Sequence, residues 1–263
     1  MNPKNISIFC FILFSINSFS QINEDINITD KNGMKQGHWI KKYPDKHVQY
    51  NGYFKDNQPV GTFIRYYETD TLHSVLIYSN NGKEADASIY HPNSFLASKG
   101  KYVNQMKEGK WQFFSAKTNG HLVWEEEYKD NLRNGPSIKY FPDNSLAEKV
   151  FYINDLRTGE WLQYFQNGKI CLKANYVEGK LQGSFEVFFD DGKPEFIGQY
   201  KDDMRDGSWK IYNSDGSLKY KVEYIDGVAT NSEMLKKESD YLDSFEKNKG
   251  KFADPEKTGT IWE

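Results

Sequence analysis

A period of 24 residues constrains this chain more than any other feature. Glycines stand two positions ahead of an aromatic residue at Gly37-His-Trp39, Gly61-Thr-Phe63, Gly109-Lys-Trp111, Gly159-Glu-Trp161, Gly183-Ser-Phe185 and Gly207-Ser-Trp209, and Gly135-Pro-Ser137 keeps the glycine with a weaker third residue. The steps between successive glycines are 24, 48, 26, 24, 24 and 24. The step of 48 is two periods, which places a degenerate unit at Ala85-Asp-Ala87-Ser-Ile-Tyr90, and the step of 26 absorbs two extra residues in Ser115–Gly120. Fixed-period self-similarity of this length is the signature of a stacked repeat architecture, here eight units from Gly37 to about Gly227.

Three more columns run in the same phase. Five residues after the anchor comes Tyr66, Tyr90, Phe114, Tyr140, Tyr164, Phe188 or Tyr212; only the first unit departs, with Lys42 followed by Tyr43. A turn pair follows, as in Asn167-Gly168, Asp191-Gly192 and Asp215-Gly216, and then a tyrosine column assigned to Tyr53, Tyr78, Tyr102, Tyr128, Tyr152, Tyr176, Tyr200 and Tyr224. Asx-Gly pairs supply the positive φ that tight hairpin turns need. The segments after them alternate with period two, as in Leu218, Tyr220, Val222, Tyr224, which is a strand signature. Each unit is therefore read as one hairpin, with its anchor glycine at the tight turn before the first strand, and successive units extend one antiparallel meander. A unit of this size buries its apolar face only by stacking on its neighbours. In a regular strand, residues two and five after the anchor lie on opposite faces, so an aromatic ladder is expected on each face. Exposed members of those ladders, Trp39, Phe63, Trp111, Trp161, Phe185, Trp209, Tyr164 and Tyr212, form the candidate binding surface, set beside the plainer reading in which both ladders are structural.

The frame from Gly159 to Lys169, Gly-x-Trp-x-x-Tyr-Phe-x-Asn-Gly-Lys, followed by Tyr176-x-x-Gly179, resembles the MORN-repeat variant, including bacterial YwqK-family antitoxin-like repeat proteins. The resemblance covers residues 37 to about 230. It implies an all-β, elongated array of antiparallel hairpins used as a scaffold or binding surface, and it implies no cofactor.

The two ends differ from the array. Residues 1–20 read as a signal peptide: Lys4 gives a weak positive start, Ile6 to Ile16 an apolar core, and Ser18 and Ser20 the small residues ahead of a cut before Gln21. The apolar run is short for a membrane span. Removing Lys4 takes the formal charge from -3 to -4. Residues 21–36 are a polar lead-in that supplies one strand over the first edge. Residues 231–263 carry Met234, Leu235, Glu238, Tyr241, Leu242 and Phe245 at helical spacing, read as a capping helix, then a tail in which Trp262 docks back.

Composition limits the functions. Aromatic content of 16% argues for an ordered chain, and hydrophobic content of 38% for a thin one. The near-neutral charge, without a polybasic run, gives no basis for nucleic-acid or anionic-lipid partners. His38, His47, His73, His91 and His121 fall at different phases of the repeat, with no metal-ligand spacing. Asp190-Asp191 and Asp202-Asp203 lie in turns, where acids bond the backbone. Glu125-Glu126-Glu127 is read as a solvated strand face. Cys171 is a lone thiol after signal removal, with neither a disulfide partner nor a catalytic base. No nucleophile elbow, phosphate loop or dinucleotide fingerprint is present. The expected protein is an exported, non-enzymatic, monomeric module that binds a protein or a cell-envelope component in the periplasm or outside the cell. The alternatives are an antitoxin-like or immunity inhibitor and a carbohydrate-binding surface. The unit at Ala85 lacks the glycine, the large aromatic and the Asx-Gly turn, so residues 79–100 are expected to be the softest stretch and a candidate notch.

Overall fold

The computed structural model describes residues 25–118 and 120–230. Among them lie a short strand β1 (Ile28–Thr29), eight hairpins and a short β18 (Val228–Ala229). The first four hairpins are β2–β3 (Lys35–Lys42, Val48–Lys55), β4–β5 (Gln58–Tyr66, Leu72–Ser79), β6–β7 (Glu84–Tyr90, Leu96–Val103) and β8–β9 (Met106–Phe114, Leu122–Lys129). The last four are β10–β11 (Leu132–Tyr140, Leu146–Ile153), β12–β13 (Leu156–Tyr164, Ile170–Val177), β14–β15 (Lys180–Phe188, Pro194–Lys201) and β16–β17 (Met204–Tyr212, Leu218–Ile225). Each strand pairs antiparallel with its chain neighbours, so the architecture is an all-β meander of 18 strands. β1 lies along β2 through Ile28 and Gln36. The signal segment, the capping helix and the docked tail expected at the two ends lie outside the described residues.

Between units, a two-residue loop carries two left-handed residues, as at Asp202 (φ 50°) and Asp203 (φ 68°). Short Asx side chains tolerate that conformation. They also stitch the units: Asp203 N–H donates to Leu181 O at 3.1 Å while Leu181 N–H donates to Asp203 Oδ1 at 2.7 Å. The same reciprocal pair joins Asp155 to Arg133 and Asn131 to Lys107. Chain neighbours 22 to 24 residues apart are thus locked turn to turn.

The anchor glycines do not precede their strands, as the sequence suggested; they sit inside them. Ala174 pairs with Phe185 and Tyr176 with Leu181, so the single residue Asn175 of β13 faces three residues, 182–184, of β14. Gly183 is in this bulge at φ 80°, and a Cβ there would meet nothing within 4 Å. The requirement for glycine is conformational, not one of space. The register also corrects the tyrosine column. Gly37 pairs with Phe54, as Gly61 does with Tyr78 and Gly183 with Tyr200, so Phe54 and not Tyr53 is its first member. Tyr53 instead stacks on His38 at 4.8 Å and is 41% exposed.

The degenerate unit keeps register by a different device. β5 and β6 pair without any shift from Ser74–Ile89 to Ser79–Glu84. The intervening loop has four residues, with Asn80, Asn81 and Gly82 all left-handed. The two residues that other units spend on a bulge are here placed in the loop, and the period of 24 survives.

The first ladder is the core. Phe63, Trp111, Trp161, Phe185 and Trp209 are at most 4% exposed. Each ring lies between strands, and some lie directly over a glycine of the preceding strand: a Cβ on Gly198 would fall 2.2 Å from the Trp209 ring. From Val150 to Tyr224 the buried apolar residues form one continuous cluster; a smaller one surrounds Ala87, Trp111 and Phe113.

Candidate functional site

The eight residues expected to form a binding surface divide into two groups. Phe63, Trp111, Trp161, Phe185 and Trp209 are buried and unavailable to a ligand. Trp39, the first member of the first ladder, is half-buried, as are Tyr164, Tyr212 and the rest of the second ladder. The two ladders are therefore unequal: one is core, and the other lies beside the Asx turns. Tyr43 and Tyr67, one position beyond it, donate their hydroxyls to Tyr66 O and Tyr90 O, and His91 Nε2 lies 3.0 Å from Phe114 O. These bonds bridge 23 residues each and tie unit to unit.

A column that sequence reading missed stands two residues before each anchor: Lys35, Lys83, Lys107, Arg133, Arg157 and Arg205, interrupted by Pro59 and Leu181. Four of these cations sit over the ladder ring of their own unit, Lys35 over Trp39 at 4.6 Å, Lys107 over Trp111 at 4.7 Å, Arg157 over Trp161 at 5.8 Å and Arg205 over Trp209 at 5.5 Å. Arg133, in the unit whose ladder residue is Ser137, lies instead over Tyr152 at 4.0 Å. The 24-residue spacing of these basic residues was a legible signal for cation–π capping.

Two units lack the ladder ring, and each departs from its neighbours. Where Ala87 replaces it, Ala87 itself is buried, and a cavity of about 350 Å³ opens beside it, lined by Leu76, Tyr78, Ala85, Ile89 and Tyr102 with the exposed Arg65 and Lys83. That volume lies within the range of small ligand sites. Burial, and then the Arg65 charge, hold the neighbouring His73 below the ordinary imidazole range, so it is neutral at pH 7. The positive charge around the cavity therefore comes from Arg65 and Lys83.

Where Ser137 replaces the ring, the space is filled by charge. Lys139 Nζ and Glu148 Oε1 are 2.6 Å apart with both side chains buried. Gln163 Nε2 and Trp161 Nε1 donate to Glu148 Oε2 at 2.8 and 3.2 Å. Ser137 Oγ and Tyr128 OH donate to the two oxygens of Glu126, itself 3% exposed. The Glu125–Glu127 segment is thus not a solvated face: Glu125 and Glu126 are buried, and their partners come from their own strand and from β8 and β10 on either side. Burial pushes the Glu126 carboxyl up, against the pull of Tyr128 and Arg133.

Other candidates carry less. Burial pushes the half-buried Cys171 thiol up to about 11, which leaves it protonated and a poor nucleophile at neutral pH. Among the described residues no group of three or more His, Cys, Asp or Glu is placed to hold a metal, and no helix is long and apolar enough to cross a membrane.

Residues 157–178, 181–202 and 205–226 match the family model of the MORN repeat variant, so three consecutive repeats of the array are of that type. They fall in the stretch where the ladder is complete. Comparison with curated proteins gives no match.

Proposed function

We propose that this chain is an exported, repeat-based protein-interaction module that engages a partner at the cell envelope through the gap in its ladder at Ala87. The observation that supports this most is the contrast between that unit and the rest. At Phe63, Trp111, Trp161, Phe185 and Trp209 the frame invests its aromatic residues in a sealed core, and at Ser137 a polar network closes the space; here the same frame leaves an open, cation-rimmed cavity. A repeat array presents one continuous surface, and a unit that departs from the frame gives that surface an address. A carbohydrate platform is a weaker reading, because five of the eight rings that would stack on sugars are buried.

A photoreactive residue at Gln105, on the cavity rim, tests the module reading in the producing cell, with Lys201 on the complete part of the array as control. One defined protein adduct from Gln105 and none from Lys201 is expected. Absence of adducts at every position along the array would overturn the reading. Export is tested separately by mass spectrometry, with secreted chains starting at Gln21; retention of Met1 to Ser20 contradicts it.

A further inference from the structure

The cavity beside Ala87 keeps the two aromatic neighbours and the cation that surround a ladder ring, without the ring. Trp209 shows what a complete seat contains: Tyr200 on the preceding strand at 5.2 Å, Tyr224 on the following strand at 6.1 Å, and the Arg205 guanidinium at 5.5 Å. Phe63 is seated the same way between Phe54 at 5.6 Å and Tyr78 at 6.2 Å. The corresponding residues around Ala87 are Tyr78, Tyr102 and Lys83, and all three line the cavity. Because the unit has a longer loop and no bulge, Lys83 stands in the loop instead of the strand, yet its side chain still borders the space. Among the described residues that side chain has neither a ring beneath it nor an ion pair. Leu76, which pairs with Ala87 across the strands, lines the cavity at the position where Gly198 lies beneath Trp209. At the other end Arg65 is exposed, touches the Phe63 ring at 5.7 Å and has no carboxylate partner among the described residues. Glu84, the acid in the lining, is already taken by Lys101 and Asn80.

We infer that this cavity receives an aromatic side chain from a peptide segment of a partner protein, one with an acidic residue beside the aromatic, so that the guest ring completes the ladder between Tyr78 and Tyr102 under Lys83 while its neighbouring carboxylate meets Arg65. The inference rests on the interaction-module reading and gives the partner a chemistry. Edge-to-face contacts with two tyrosines and a cation over the ring favour an aromatic guest over an aliphatic one of similar area. An unpaired guanidinium favours a carboxylate over its amide.

The test uses the full chain, labelled for amide NMR, and blocked tetrapeptides with Trp-Glu, Leu-Glu or Trp-Gln at their centre. The Trp-Glu peptide should give saturable shifts centred on Leu76, Ala85 and Ile89. Leu-Glu should bind about tenfold more weakly, and Trp-Gln about threefold to tenfold more weakly. Arg65→Gln should erase the difference between Trp-Glu and Trp-Gln, and Lys83→Gln, in an exposed loop, should weaken both by about threefold. Ala87→Phe should fill the seat and abolish binding. Equal binding of the three peptides, no saturable shift with any of them, or undiminished binding to both Ala87→Phe and Lys83→Gln would overturn the inference. Failure here with a Gln105 adduct still formed removes only this partner chemistry; loss of all adducts removes the module reading itself.

Discussion

The units at Ala87 and Ser137 have lost the same ring and resolved the loss in opposite ways. Around Ser137, the neighbours contribute Glu126, Lys139, Glu148 and Gln163, and the space closes on a hydrogen-bonded network with buried charge. Beside Ala87, the tyrosines and the lysine of a normal seat remain, Leu76 stands where Trp209 has Gly198, and a cavity stays open. Since each unit touches only the units beside it, a local change of filling leaves the frame intact. The comparison teaches that the frame specifies strand register through turns and bulges, whereas the ladder position is free to hold a ring, a polar network or a vacancy.

The largest expected effect lies at the filled unit. Lys139→Met strands Glu148 in a buried setting and should destabilise by about 3–5 kcal/mol in denaturant melts, while adding Glu148→Leu should restore most of the loss. A neutral single variant would show that the charge network does not hold this unit together. Acid sensitivity sharpens the same point. Burial pushes the Glu148 carboxyl up, but Lys139, with help from Gln163 and Trp161, outweighs burial and holds it below its ordinary value of 4.5. A carboxyl depressed in the folded state contributes stability that is fully present above its unfolded value and is lost as pH falls through the folded value. Below pH 4.5 the wild-type chain should therefore lose stability more steeply than the Lys139→Met/Glu148→Leu double variant. Parallel acid curves for the two would contradict this.

In the complete part of the array, Gly183→Val should cost roughly 1–3 kcal/mol, because valine is strained at φ 80° even with room for its side chain. An unchanged melting temperature would mean that the bulge has no need of glycine. The smallest effect is expected at the vacant seat. Ala87→Phe should raise stability by about 1–2 kcal/mol through burial of the new ring. A fall in melting temperature would show that the space is not shaped for a ring.

The period, the hairpins and the Asx turns were legible in the sequence because each depends on local backbone preferences. Their count of eight followed from the glycine steps, including the degenerate unit. What escaped depends on pairing across strands. Gly183 reads as a turn residue until its register with Asn175 reveals the bulge. Tyr53 and Phe54 are interchangeable by composition, and only the pairing of Gly37 with Phe54 selects between them. Glu126 looks solvated in a run of acids, yet Tyr128, Ser137 and Arg133 meet it from its own and the next strand. The burial of the ladder, which removes five rings from the expected binding surface, was also hidden, because period-two alternation assigns faces without saying which face is covered.

Amide exchange through β6 and β12 tests the central claim most directly, because it compares the vacant seat with a full one in the same molecule. The strands occupy equivalent places in their units, and Leu162 to Tyr164 correspond to Ser88 to Tyr90. With the seat at Ala87 empty and that at Trp161 filled, amides of Ser88 to Tyr90 should exchange faster than those of Leu162 to Tyr164, and Ala87→Phe should narrow the gap. Equal protection of the two segments in the wild-type chain would contradict the account, since the unit without a ring would then be as sound as its neighbours.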